Sequence, residues 1–300
     1  MKTIFRDSEG NVRNGWKVLG FVLLFMATSK AFNVGLHPAL PFLKVHRNLI
    51  PSSVITTVIA LIPTYLCLKV EKTSLASIGL RLNPIWLRES LLGTGLGIGL
   101  ILLVALVIRL FGGFHLEFVP GMSLTALFAG IWMYLWVALF EELLFRGFLF
   151  QRLTRGLGAW PTQLLLAGFF ALGHWGNPGM QGATKVWATL NIAMAAIMLG
   201  LAYYKTRSLA LPIGLHLGWN WAQGCLLGFG VSGTTGTTNF FNPVFHGRPD
   251  WLTGGSFGPE ASLPSLVILI AFSFWLATWK QAKPASEAEV QLVPQVVPGD

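Results

Sequence analysis

Residues 122–150 read MSLTALFAGIWMYLWVALFEELLFRGFLF, and the rest of the chain is organised around them. The stretch is apolar for long enough to span a bilayer, then carries Glu141 and Glu142 side by side, with Arg146 after them. A carboxylate inside a span costs on the order of 2.5–3.5 kcal/mol, so two adjacent acids need a reason to be there. Glu142 and Arg146 are four residues apart, share a helix face and can pair. Glu141 points about 100° away from Glu142 and is left free for other work.

Working outward, apolar runs recur at roughly 17–34, 50–69, 89–110, 122–150, 161–175, 186–204, 208–229 and 263–280. With 53% hydrophobic and only 11% charged residues, and a mean hydropathy of +0.62, this excludes a soluble domain. The expectation is an all-α, polytopic transmembrane bundle of about eight spans, an integral membrane protein. The chain divides into a polar head with the first two spans (1–84), a core (85–280) and a tail (281–300) without periodicity, expected to be disordered. The segments 35–49 and 71–88 are expected to lie in the interface. The apolar run before Ala27-Thr28-Ser29 is read as a retained first span, because its leading segment is long and carries Asp7 and Glu9.

The net charge of +9 does not mark a nucleic-acid binder, because the basic residues are scattered over loops. Lys2, Arg6, Arg13, Lys17, Lys69, Lys72, Arg81, Arg88, Arg146, Arg152, Arg155, Lys205, Arg207, Lys280 and Lys283 fall on one side of these spans. Lys30, Lys44, Arg47, Arg109, Lys185 and Arg248 fall on the other. The positive-inside rule then puts both termini in the cytoplasm, with a bacterial plasma membrane as the expected location. Cys67 and Cys225 both sit in apolar spans and read as packing residues. The Gly/Thr-rich connection from about 230 to 262 is longer than most turns, which points to a role or to mobility.

Few polar residues interrupt the spans. The fifth ends in LLLAGFFALGHWGN, with Phe170 and His174 at i,i+4; the seventh contains GLHLGWN, with His216 and Asn220 at i,i+4. At about 1.5 Å per residue, Glu141, His216, Asn220 and His174 lie roughly 13, 12, 18 and 20 Å above the inner ends of their helices. The expected meeting place is the cytoplasmic half of the membrane. A carboxylate beside an imidazole can take a proton from water. A second imidazole and a side-chain amide can donate hydrogen bonds to a developing oxyanion. The inventory suits acyl hydrolysis by water, and no GxSxG elbow is present.

These motifs resemble a known family. Glu141-Glu142-Leu-Leu-Phe-Arg146 matches EExxxR, Phe170-Ala-Leu-Gly-His174 matches FxxxH, and His216-Leu-Gly-Trp-Asn220 matches HxxxN. In that order they resemble the CPBP family, the CAAX prenyl proteases and bacteriocin-processing or immunity proteins, also called Abi proteins, with the Rce1-type CAAX protease as a branch. The resemblance covers about residues 85–230. It implies an intramembrane glutamic endopeptidase in which Glu141 and His174 activate water and His216 and Asn220 form the oxyanion hole. Glu142 and Arg146 would support them, with no cofactor. In the farnesylated-protein branch the cut falls after a prenylated cysteine, from the cytoplasmic side. The expected partners are membrane lipid and a peptide or lipidated protein, not nucleic acid. The segment LTGGSFGPE (252–260) resembles a loop of some bacterial members, and Glu260 is read as a cap on the last helix.

Other classes use the same residues. A Glu/His proton relay in a transporter is one, although no internal repeat or pair of broken helices is visible. A zinc protease is another, but the chain has no HExxH. A non-catalytic scaffold or self-immunity protein that keeps the fold is a third.

Overall fold

The computed structural model describes residues 2–36, 52–121, 123–236 and 238–279. The expectations for 37–49, including Lys44 and Arg47, and for the tail 281–300 with Lys280 and Lys283 lie outside the described residues. The helices are α1 (Asn14–Ala31), α2 (Ser52–Val70), α3 (Pro84–Leu110), α4 (Leu124–Arg146), α5 (Phe148–Leu157), α6 (Ala159–Gly173), α7 (Gly182–Thr206), α8 (Ala210–Trp221) and α9 (Leu263–Thr278). Five apolar segments among the described residues, 14–35, 52–70, 84–110, 124–157 and 182–206, are long enough to cross a membrane; α6 and α9 are apolar but shorter. The fold is the expected all-α bundle of an integral membrane protein.

Local chemistry sets the helix starts. The Asn83 side chain accepts the Trp86 amide at 2.8 Å, with Pro84 pre-set for the first turn of α3. Ser123 Oγ accepts the Ala126 amide at the start of α4. Ser262 Oγ accepts the Ser265 amide at the start of α9, so Ser262 and not Glu260 caps that helix.

Two expectations are corrected. The helix expected over 122–150 breaks at Gly147, which leaves the helical region at φ −74° and ψ −120°, and α5 departs as a separate amphipathic helix. A Cβ at Gly147 would come within 2.3 Å of the Leu143 carbonyl oxygen. The segment 71–88 is locally ordered. A single 3-10 turn (Leu75–Ile78), with Ile78 in the core, precedes α3, which already contains Trp86 and Arg88. The long connection after α8 contains a strand, β2 (Phe241–Phe245), which pairs antiparallel with β1 (Phe114–Phe118) in the register Phe114↔Phe245 to Phe118↔Phe241. Buried Phe114 packs edge-on against Phe229 and ties this two-stranded sheet to the end of the bundle.

The closest helix pair is α3 with α8. A Cβ at Gly97 would meet the Leu215 carbonyl oxygen at 2.2 Å, one at Gly214 the Ser90 oxygen at 2.1 Å, and one at Gly218 the Thr94 oxygen at 2.1 Å. Small residues four apart let two backbones approach within a membrane, where dispersion and weak hydrogen bonds replace the hydrophobic effect. The same contact aims the polar face of α8. His216 lies two residues from each glycine, about 200° around the helix, and therefore points away from α3 and toward α4.

At the opposite side of the bundle, α5 carries Arg152 back into the core. Its guanidinium binds the Glu71 carboxylate through Nη2 and Nε, and lies 4.3 Å from the Phe148 ring centroid. Lys17 of α1 reaches the same carboxylate at 3.1 Å. Burial alone would raise the Glu71 pKa, but the bonds to Arg152 and Lys17 outweigh it and hold it below the ordinary glutamate value.

Candidate active site

Glu141 and Glu142 stand near the C-terminal end of α4, with Arg146 in its last turn. Glu142 and Arg146 are buried, and Arg146 Nη1 donates to Glu142 Oε1 at 3.0 Å. Arg146 Nη2 donates to the Ala196 carbonyl of α7 at 2.7 Å, and the guanidinium lies 5.2 Å from the Phe170 ring centroid of α6. One arginine thereby joins three helices, and its charge is matched by the carboxylate four residues back.

The pair does more than support. His216 Nδ1 lies 2.9 Å from Glu142 Oε1, so the same oxygen that binds Arg146 orients the imidazole. His216 Nε2 then faces Glu141 Oε2 at 3.7 Å, an ion-pair distance. Glu142 Oε2 is buried and has no hydrogen bond.

His174 follows α6 as its C-cap residue. Its Nδ1 lies 2.7 Å from the Phe170 carbonyl oxygen. A carbonyl only accepts, so Nδ1 carries the proton, and in the neutral ring Nε2 keeps its lone pair. The FxxxH spacing thus has a physical meaning here. The backbone of Phe170 fixes the tautomer, while its ring packs on both Arg146 and the His174 ring (centroids 4.8 Å apart).

Glu141, His174, His216 and Asn220 all line one cavity of about 400 Å³. Its walls are largely apolar, with Met133, Val137, Leu199, Leu215 and Leu269 among them. This is the setting in which a few aimed polar groups act strongly, because little water competes. Sequence reasoning did not reach Tyr134, Asn177, Asn191, Ser232 and Glu260, which line the same cavity. Glu260 and its loop were visible as a motif without a role; nothing in the spacing linked them to α4.

Glu141 lies toward the end of α4 near α5, but His174 sits at the far end of α6. The cavity's exposed rim, Thr234, Thr235 and Gly236, belongs to the loops at that far end, opposite Arg152, Arg155, Lys205 and Arg207. Among the described residues, no group of three or more His, Cys, Asp or Glu side chains is arranged to hold a metal ion.

Fold and cavity together define a polytopic, predominantly helical membrane protein with a carboxylate–imidazole site inside its bundle. Residues 123–222, which contain all six motif residues, match the model of the Rce1-like family, described as type II CAAX prenyl endopeptidase Rce1-like. Over that stretch, a third of the chain, the sequence is similar to the Rce1-like CAAX protease family that its motifs resemble. Neither the curated proteins nor the solved structures gave a match.

Proposed function

We propose that the chain is an intramembrane glutamic endopeptidase that hydrolyses a peptide bond in a membrane-associated protein, prenylated or not. The observation that carries this reading is the convergence of Glu141, His174, His216 and Asn220 on one largely apolar cavity. Beneath it lies a closed Glu142–Arg146 pair.

In this mechanism a water held between Glu141 and His174 Nε2 loses a proton to them as its oxygen attacks the substrate carbonyl carbon. Such general-base assistance contributes on the order of 10²–10⁴ in rate. The carbonyl oxygen becomes an oxyanion and takes hydrogen bonds from the Asn220 amide and from His216. With Nδ1 committed to Glu142, His216 donates from Nε2 in its doubly protonated form. Collapse breaks the C–N bond, and the proton taken from water goes to the leaving amine. No acyl-enzyme forms, and no cofactor is needed.

The basic end of the bundle faces the cytoplasm in this reading, with both termini there, in a bacterial plasma membrane. The rim at Thr234–Gly236 then faces away from the cytoplasm, and the peptide enters from that side or from the lipid. Kinetics of single variants test the roles. Glu141→Gln and His174→Ala should abolish turnover, while His216→Ala and Asn220→Ala should each lower kcat by about 10²–10³. Equal, mild losses for all four would contradict the assignment.

A further inference from the structure

The segment LTGGSFGPE has an evident structural task. Gly254, Gly255 and Gly258 all adopt positive φ (81°, 55° and 106°). A Cβ on Gly254 would meet the Gly258 carbonyl oxygen at 1.8 Å, and one on Gly258 would meet the Gly230 oxygen at 2.0 Å. Only glycine fits these positions, and the loop they permit folds tightly against residues 230–233. The Gly233 amide donates to the Phe257 carbonyl at 2.9 Å, and fully buried Phe257 anchors the turn in the core. Asn191 Nδ2 of α7 donates to the Ser262 carbonyl at 3.0 Å, and Gln223 Nε2, in the turn that follows α8, donates to the Gly230 carbonyl at 2.6 Å.

This construction delivers one charged side chain. Glu260 Oε2 accepts from the Ser232 amide at 2.6 Å and from Ser232 Oγ at 2.8 Å. Among the described residues Glu260 has no salt bridge to Lys or Arg, and Oε1 has no hydrogen bond. The residue is partly buried and borders the same cavity as Glu141, His174, His216 and Asn220. Burial pushes its carboxyl pKa up; the Ser232 bonds and the two histidines pull it down, and the net shift is upward. A carboxyl group built into a cavity wall, held by one oxygen and left open at the other, is poised to receive a ligand.

We propose that Glu260 is a third carboxyl group of the cavity and a substrate-binding residue: Ser232 fixes Oε2, and Oε1 accepts a backbone N–H of the bound peptide. Its ligand is thus an extended peptide segment, held near the rim while Glu141 acts deeper in the cavity. This rests on the peptidase reading, and its test separates the two.

The experiment uses the purified full chain, a quenched-fluorescent peptide library, and a dye-labelled peptide whose binding is read by anisotropy. Glu260→Ala should raise KM about tenfold with kcat within about threefold, and weaken peptide binding to the Glu141→Gln background by the same factor. Glu260→Gln, which keeps an acceptor oxygen, should recover most of the affinity, and Ser232→Ala should fall between. Thermal unfolding identifies a variant that simply fails to fold; Glu260→Gln then carries the comparison with Ser232→Ala, and equal affinity in those two would overturn the proposal. Cleavage by the wild type with KM and binding unchanged in a folded Glu260→Ala would overturn the proposal and leave the peptidase reading intact. A wild-type chain that binds no peptide would overturn both.

Discussion

Glu142 holds two partners on one oxygen and none on the other, in a site without solvent. Removing Arg146 from this arrangement leaves a buried carboxylate with only His216, and removing Glu142 leaves a buried guanidinium with only a carbonyl. Breaking a buried pair from one side typically costs about 3–5 kcal/mol. Arg146→Ala and Glu142→Ala should therefore lower the unfolding temperature sharply in a detergent melt, whereas Glu141→Gln should leave it nearly unchanged. Equal melting temperatures for all three would contradict the division of the acids into one that holds the site and one that faces the cavity. At this scale the sequence was informative. The i,i+4 spacing announced the Glu142–Arg146 pair, and the HxxxN and FxxxH spacings placed their residues on common faces. It could not reveal that Glu142 also binds His216, because that contact joins residues 74 positions apart.

Helix positions follow from the small residues of α3 and α8. Gly214→Val or Gly218→Val would push a side chain into the backbone of α3, an overpacking of at least about 1–3 kcal/mol. The displaced α8 would carry His216 and Asn220 away from Glu141, so activity should fall further than stability. Parallel melting and turnover measurements check this, and loss of stability with full specific activity would count against it. The five spanning segments and the shorter apolar helices α6 and α9 were legible from length and hydropathy alone. Two features were not. The break at Gly147 directly follows Arg146 with no proline to mark it, and the β1–β2 pairing joins a short strand before α4 to one in a loop after α8. Period-2 alternation over five residues is too short to stand out in a chain this apolar.

Across the whole molecule, charge is concentrated at one end and the cavity rim lies at the other. With the basic end in the cytoplasm, Thr235→Cys should react with a membrane-impermeant maleimide in intact cells, and Arg155→Cys should not. The reverse pattern would invert the proposed orientation. The basic end is also held together by the Lys17–Glu71–Arg152 cluster, which links α1, the end of α2 and α5. Because the Glu71 pKa is lowered on folding, its stabilisation is complete above the ordinary value of 4.5 and fades as the pH falls through the lowered one. Melts from pH 7 to 3 should lose this contribution in the wild type and not in Glu71→Gln; identical acid profiles would remove the cluster from the account.

The central claim is that the cavity hydrolyses peptides through Glu141. The most direct measurement is cleavage of a quenched-fluorescent peptide library, half of it prenylated, by purified protein in detergent. Wild type is run beside Glu141→Gln, each with and without a chelator. The account predicts cleavage by the wild type alone, indifferent to the chelator. Cleavage that survives in Glu141→Gln, or that stops with the chelator and returns with zinc, would contradict it.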